Sequence, residues 1–268
     1  MNPPSTRPRV VAITAGHAFG ERVLRRFRGA GISLEALIVT LQQNAPRRPP
    51  ARGLWRAVNM RATLRARWRA WRRWRHLTKR ISVVESLADA RLPGILVRAR
   101  PDVLVLAGTG IVPSALLEIP TLATLNAHPG LLPWVRGVCP LEHALLRGIP
   151  LGVTVHAVDK GIDTGPIIRR VLLPVGDGET DRIALSRRLE DAAIDALVEV
   201  VSATLSGQPP QSRAQTTRYP YGQWVTDAER AEAIKLLANG EARRLYNAWR
   251  EAAGGDVLPE RDEGLPGA

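Results

Sequence analysis

Asn126, His128 and Asp163 are the residues of this chain whose types and spacing could do chemistry. The first two sit in Asn-Ala-His-Pro-Gly, residues 126–130, and Asp163 follows His128 by 35 positions in an Ile-Asp-Thr-Gly turn. An amide can donate to an oxyanion, an imidazole can titrate, and a carboxylate can orient and charge that imidazole. Together they supply what acyl transfer needs: stabilisation of an oxyanion and a proton for the leaving group. Asn126 and His128 lie two apart, so on an extended segment their side chains point the same way. Taken singly, Asn126 and Asp163 read as turn residues and His128 as a packed core histidine. Taken as a set in this order, they read as a site.

The elements that must position them follow from the apolar pattern. Residues 9–14 are an apolar run of strand length, Phe19 to Phe27 a helical pattern closed by Gly29 and Gly31, and Leu34 to Thr40 a second strand. Near-continuous apolar strands imply a sheet buried on both faces. Asn44 to Gly53 is a proline-containing loop, Leu54 to Lys79 a basic helix, Ile81 to Val84 a third strand and Asp102 to Ala107 a fourth. Gly108 to Pro113 turns into a short helix ending near Ile119, and Leu122 to Asn126 is a fifth strand with Asn126 at its C-terminal end. Pro140 to Leu146 reads as a helix, Gly152 to Val158 and Ile167 to Val175 as strands, and Asp181 to Leu205 as a long amphipathic helix. This order predicts a doubly wound, Rossmann-like α/β fold with a mostly parallel sheet, in which ligands gather at the C-terminal strand ends. Beyond Gly207 come a polar linker, a capping box at Thr226 to Glu229 that opens a helix, and a last helix near Glu241 to Glu251. Gly254 to Ala268 reads as a frayed end. The expected organisation is a catalytic domain at 1–206, carrying a basic insertion at 45–80, and a linker with a short helical tail at 207–268.

A chain of 268 residues with 45% hydrophobic content can bury a large core. No run of about 18 apolar residues occurs, which argues against a membrane-spanning helix, and residues 1–9 lack the apolar stretch of a signal peptide. The single cysteine, Cys139, cannot close an internal disulfide, which fits a reducing cytoplasm. It leaves no set for a thiolate zinc site, and the five histidines show no His-Glu-x-x-His spacing, so no metal is expected. The net charge of +13 is local: residues 45–80 hold twelve arginines and Lys79 with no acid, and the remaining 25 basic residues match the 25 acidic ones.

The run from Asn126 to Gly165, with Arg136-Gly-Val-Cys-Pro140 between, resembles the catalytic core of the 10-formyltetrahydrofolate-dependent formyltransferases, which act on glycinamide ribonucleotide, methionyl-tRNA or nucleotide-linked amino sugars. The resemblance extends from Arg9 to Val175. It implies Asn126 as transition-state stabiliser, His128 as the acid or proton donor, and Asp163 as the carboxylate that charges His128. It implies 10-formyltetrahydrofolate as cosubstrate, held between Gly110, Ile111 and Val112 on one side and Lys160, Gly161 and Ile162 on the other. Small and apolar groups there suit a flat pterin. His17 and Arg136 are the implied substrate contacts.

Departures from the family pattern narrow the acceptor. Gly130 stands where many relatives have serine, and Pro166 where the tRNA enzymes often have an acid. The first loop, Thr14 to Gly20, lacks the Gly-Ser-Asn phosphate cradle of the glycinamide ribonucleotide enzymes. Arg-Gly-x-x-Pro at 136–140 is the pattern of the tRNA and sugar enzymes, and the tRNA enzymes usually add a C-terminal β-barrel. The 62 residues after Ser206 read as helical and too few for that barrel with its linker. The expected acceptor is therefore a small-molecule primary amine, that of an amino sugar nucleotide. Methionyl-tRNA, glycinamide ribonucleotide and water, the last giving a hydrolase, stay open, as does a non-catalytic RNA- or membrane-binding protein on the same fold.

The basic insertion interleaves Trp55, Trp68, Trp71 and Trp74 with arginine, and Leu64, Trp68 and Trp71 recur at helical spacing. Three readings stand side by side. The tryptophans pack on the domain or on a partner subunit of a homodimer while the arginines stay solvated; the helix docks on an anionic membrane; or it contacts nucleic-acid phosphates. Packing is the preferred reading.

Overall fold

The computed structural model describes residues 7–41, 65, 68–215 and 219–258. The chain divides into two compact units, one up to residue 125 together with 202–209, the other 126–201 together with residues from 210 onward.

The first unit runs β1 (Val10–Thr14), α1 (Ala18–Gly29), β2 (Ala36–Thr40), β3 (Ile81–Val84), α2 (Leu92–Ala99), β4 (Val103–Ala107) and α3 (Ser114–Leu117). β1 lies in parallel between β2 and β4, and β3 pairs in parallel with β2. Every residue of β1 and β4 is buried, as the unbroken apolar runs require of strands covered on both faces. α1 turns Val23, Leu24 and Phe27 inward and leaves Arg25, Arg26 and Arg28 exposed. The helix α2 falls between the expected third and fourth strands, in a stretch to which the sequence pattern assigned no element. Pro93 occupies the first helical turn, where its missing N–H costs nothing, and Leu92, Leu96 and Ala99 bury one face.

The described part of the basic helix is residue 65 and residues 68–74. Trp74 is buried at 6% exposure, whereas Trp68 and Trp71 are 57% and 48% exposed, with Arg72 and Arg75 lying over their rings. Packing on the domain thus holds for Trp74, while Trp68 and Trp71 are not packed on it; Trp55 and Leu64 lie outside the described residues.

β5 (Ala123–His128) carries the chain into the second unit, which continues with β6 (Arg136–Gly137), α4 (Pro140–Leu146), β7 (Gly152–Ala157), β8 (Ile167–Leu172), α5 (Arg182–Leu205), β9 (Tyr221–Gly222), α6 (Asp227–Ala238) and α7 (Glu241–Ala253). β7 and β8 are antiparallel, with an irregularity at Val155/His156. The main sheet has the strand order β3-β2-β1-β4-β5-β7-β8. The first strand is internal and its successors wind off to either side, which is the expected doubly wound order.

Trp134 and Trp249 meet edge to face with centroids 5.1 Å apart, and the buried Arg170 guanidinium lies 5.0 Å over Trp134. The last helix is therefore part of the core of this unit. The expected capping box forms between Thr226 and Glu229. The expected fraying from Gly254 does not hold for residues 254–258: Leu172 N–H donates to Asp256 O, Leu258 N–H donates to Arg170 O, and Leu258 is buried. An apolar side chain and an open edge of β8 tie the segment down; residues 259–268 lie outside the description. Among the described residues no helix is long and apolar enough to cross a membrane.

Candidate active site

β5 ends on Asn126 and His128, and its alternation sets both side chains on one side. Asp163 comes to them on the loop between β7 and β8, at a backbone φ of +52°. Asparagine and aspartate tolerate this left-handed conformation better than other side chains. The loop is internally tied. Asp159 Oδ1 accepts from Gly161 N–H at 3.0 Å and from the Thr164 hydroxyl at 2.6 Å, and the Gln215 amide donates to the carbonyls of Asp163 and Gly165 at 3.1 and 2.7 Å.

The Asp163 carboxylate stands between two imidazoles. Oδ2 accepts from Gly137 N–H at 2.9 Å and lies 3.7 Å from His128 Nδ1, while Oδ1 lies 3.8 Å from His156 Nε2. The two histidines are held differently. His128 Nε2 is 2.9 Å from the Val135 carbonyl, a contact that requires N–H at that nitrogen. A protonated ring then has a second donor at Nδ1, facing the carboxylate. His156 Nδ1 donates to the Ala157 carbonyl at 2.9 Å, so Nε2 accepts the Asn126 amide at 3.2 Å. These roles are assigned from the partners. Burial lowers the His156 pKa from its ordinary value, with the Asp163 charge pulling the other way and a charged His128 adding to the lowering. A neutral imidazole is what the Asn126 bond needs. One carboxylate thus faces two differently held rings, His128 with its N–H fixed on Nε2 and His156 with Nε2 as acceptor.

Gly130 explains how His128 fits. A Cβ at this position would lie 2.8 Å from His128 Nε2 and 3.0 Å from the Val135 carbonyl, so the bare backbone leaves room for the ring and for its bond to Val135. Thr154, fully buried on β7, donates to Gly130 O at 2.8 Å and accepts from Leu132 N–H at 3.0 Å, fixing the loop below the site.

Arg136 clamps the loop from outside. Its Nη2 donates to Ile162 O at 2.7 Å and its Nη1 to Tyr219 O at 2.8 Å, while β6 pairs in parallel with β9. In this structure the arginine expected at the substrate therefore holds main chain. Lys160, Gly161 and Ile162 are exposed on the same loop. Gly110, Ile111 and Val112 lie in the first unit on the irregular segment after β4, with Ile111 73% exposed, and His17 is the exposed N-cap of α1 in that unit. Cys139, at positive φ before Pro140, is half-buried.

His156 falls within the strand expected at Gly152 to Val158 and was not among the expected site residues. The available signal was that Thr154 and His156 share one face of β7, both polar within an apolar run. Gln215 gave no signal, since its acceptors are main-chain carbonyls about fifty positions upstream.

Residues 75–201 match the family model described as formyl transferase. The methionyl-tRNA formyltransferase of Thermus thermophilus is 32% identical over 187 residues, 63% of this chain and 59% of that protein. The enzyme of the same name from Pseudomonas fluorescens is 34% identical over 204 residues, 67% and 64% respectively. The chain thus spans about three fifths of the length of these relatives. In fold it is similar to a 4-N formyltransferase from Francisella tularensis, with a TM-score of 0.57 at 15% identity, covering 86% of this chain and 88% of that one. Through residues 75–201 and the site built on them, the chain belongs to the formyl transferase family.

Proposed function

We propose that this protein transfers the formyl group of 10-formyltetrahydrofolate to a primary amine, with Asn126, His128 and Asp163 as the reacting set. The observation that carries the reading is the Asp163 carboxylate set between His128 and His156, with the neutral His156 aiming the Asn126 amide. The amine nitrogen bonds to the formyl carbon and the carbonyl electron pair moves to oxygen. Asn126 has a second amide hydrogen for that oxygen, since His156 takes only one. As the bond from the formyl carbon to the leaving nitrogen breaks, its electron pair goes to that nitrogen, which needs a proton. His128 supplies it, and Asp163 takes the proton lost by the amine, directly or through one water. The 3.7 Å between Nδ1 and the carboxylate is longer than a direct hydrogen bond, which leaves the proton free to be handed on. The cosubstrate brings the activated formyl carbon. The Lys160–Ile162 loop, with Ile162 42% exposed, suits one face of a flat ring, and the exposed Ile111 beside Gly110 and Val112 has the same character.

For the acceptor we take the amine of an amino sugar nucleotide. Support comes from the Arg-Gly-x-x-Pro segment at 136–140 and from the helical form of residues 227–253, which pack Trp249 against Trp134 where the tRNA enzymes usually continue into a β-barrel. A second reading, methionyl-tRNA as acceptor, is favoured by the names of the relatives at 32% and 34% identity. The test is tetrahydrofolate formation from 10-formyltetrahydrofolate with an amino sugar nucleotide, methionyl-tRNA, glycinamide ribonucleotide or no amine. Turnover only with the sugar is the expected result. Turnover only with methionyl-tRNA selects the second reading, and none in any arm overturns the transfer reading.

A further inference from the structure

We infer that the outer face of the basic helix is a docking surface for an anionic lipid bilayer, with Trp68 and Trp71 seated at the headgroup level and the arginines beside them on lipid phosphates. This inference does not rest on the formyl-transfer reading.

The helix is held on the first unit by one face. Ala70, Trp74 and Leu77 are buried, and their spacing of i, i+4 and i+7 is one side of a helix. Arg75 N–H donates to Trp71 O and Leu77 N–H to Trp74 O, so the coil continues past residue 74. Leu34 N–H then donates to Leu77 O and the Thr78 hydroxyl to Glu35 O, which tie the end of the helix to the approach to β2. Arg73 adds a bond to Glu21 of α1 at 2.7 Å. The opposite face reads Trp68, Trp71, Arg72 and Arg75, spaced i, i+3, i+4 and i+7, and all four are exposed. Arg72 lies 5.4 Å over the Trp68 ring and Arg75 5.3 Å over the Trp71 ring. Two large rings are thus held out in water on a helix whose other side is already fixed, and their apolar surface goes unburied.

Charge selects the partner that covers them. Residues 65 and 68–80 include seven arginines and lysines and no acid. Glu21 and Glu35 pair with Arg73 and Arg80, and among the described residues no carboxylate reaches the other five. A second copy of this chain would set arginine against arginine, so the surface repels itself. Single-stranded nucleic acid takes a basic groove with aromatic rings open for stacking; here the rings stand on the outer side of a helix, and a base would compete with the guanidinium over each. An anionic bilayer meets both kinds of group in layers, with the headgroup level for tryptophan and phosphate oxygens for the guanidinium forks. Binding of an interfacial helix grows with the apolar area inserted and with attraction to anionic lipid, and this face supplies both. Each basic residue near such a surface strengthens binding by about fivefold.

The experiment is co-sedimentation of the full chain with vesicles of phosphatidylcholine, alone or with about one third phosphatidylglycerol as the anionic lipid, beside a titration with single-stranded RNA. The chain should bind the anionic vesicles at least about tenfold more tightly than the neutral ones, and less tightly as salt is added. Trp68→Ala/Trp71→Ala changes no charge and should weaken that binding about tenfold or more. Arg72→Gln/Arg75→Gln should weaken it about twenty-five-fold, roughly five for each charge. Arg98→Gln/Arg100→Gln removes the same charge at the end of α2, which right-handed crossovers in this strand order place on the other face of the sheet; it should leave the affinity within about threefold. Thermal unfolding checks that each variant is folded, and quenching of tryptophan fluorescence by brominated lipid in the unaltered chain reads insertion without any variant. Equal losses in the two arginine doubles would show attraction by net charge alone and overturn the docking face. So would undiminished binding by the tryptophan double, absence of quenching, or equal binding to neutral and anionic vesicles. RNA binding that is tighter than vesicle binding and lost in the tryptophan double would overturn it too, making the helix a nucleic-acid surface.

Discussion

Replacing Asp163 by asparagine removes a charge while leaving nearly everything else in place. The carboxylate lies 3.7 Å from His128 Nδ1, and at that distance a charged pair interacts by about 4 kcal/mol at an effective dielectric of 20. The part of this gained only as charge develops in the transition state is what the variant loses. Deleting one preorganised electrostatic partner typically costs about a hundred- to a thousandfold in rate, roughly 2.7–4 kcal/mol. The structural cost is small on three counts. Asparagine keeps an oxygen for Gly137 N–H, now 2.9 Å from Oδ2; it tolerates φ of +52°; and it leaves the Gln215 bonds to the main chain untouched. The expected result is a fall in kcat/KM of about a hundredfold or more, with a loss of stability under about 1 kcal/mol, a midpoint shift of roughly 2–4 °C at most. Tetrahydrofolate formation and thermal unfolding, followed on one preparation, measure the two. Asp163→Ala should differ by losing stability too, since it orphans Gly137 N–H and places alanine in the left-handed region. A D163N protein that turns over within threefold of the parent would refute the role given to the carboxylate, and one that fails to fold would move Asp163 from chemistry to architecture.

Part of the acid limb of stability should belong to His156, beside the carboxylates of Asp89 and Asp102, which are also held below their usual range. The His156 pKa is lowered in the folded state, so as pH falls below the ordinary imidazole value of about 6.5 the unfolded chain takes up the proton first and stability is lost from there down to the lowered folded value; above that range the group contributes nothing. His156→Gln should flatten this limb in denaturant titrations between about pH 4 and 7, and an unchanged slope would place the titration elsewhere. Gly137→Ala should destabilise by roughly 1–3 kcal/mol, because φ is +91° and the new Cβ would lie 2.3 Å from Gly222 O. A midpoint shift too small to measure would show that the β6–β9 pairing yields easily.

Much of this architecture was legible because it is written locally. The five buried residues of β1 and of β4 are contiguous apolar runs, the capping box at Thr226 spans four residues, and Asn126 and His128 are neighbours on one strand. What stayed hidden depends on partners far along the chain. His156 reads as an ordinary strand histidine until its ring is seen to accept from an amide 30 positions earlier. The two main-chain carbonyls that Arg136 meets, at Ile162 and Tyr219, lie 26 and 83 positions away and leave no local sign in the sequence. The helix α2 was concealed by its length, since eight residues with Leu92, Leu96 and Ala99 buried are too short a run to stand out as a helical period. Glycine itself was ambiguous: Gly130 looked like a missing hydroxyl, and only the packing makes it the space in which His128 sits.

The clamp of Arg136 on Tyr219 O joins residues 83 positions apart, and this separation sets a clock. A ribosome adds about 5–20 residues each second, so a newly made Arg136 waits roughly 4 to 17 s before Tyr219 exists. Gln215, which steadies the Asp163 loop, is delayed almost as long. Once Asp163 follows, 27 positions after Arg136, the nascent chain contains the amide, imidazole and carboxylate, but until Gln215 and Tyr219 are added it lacks the segments that hold the carboxylate between the two rings. On the proposed reading, an incomplete polypeptide can carry every reacting group before the segments that set their geometry exist.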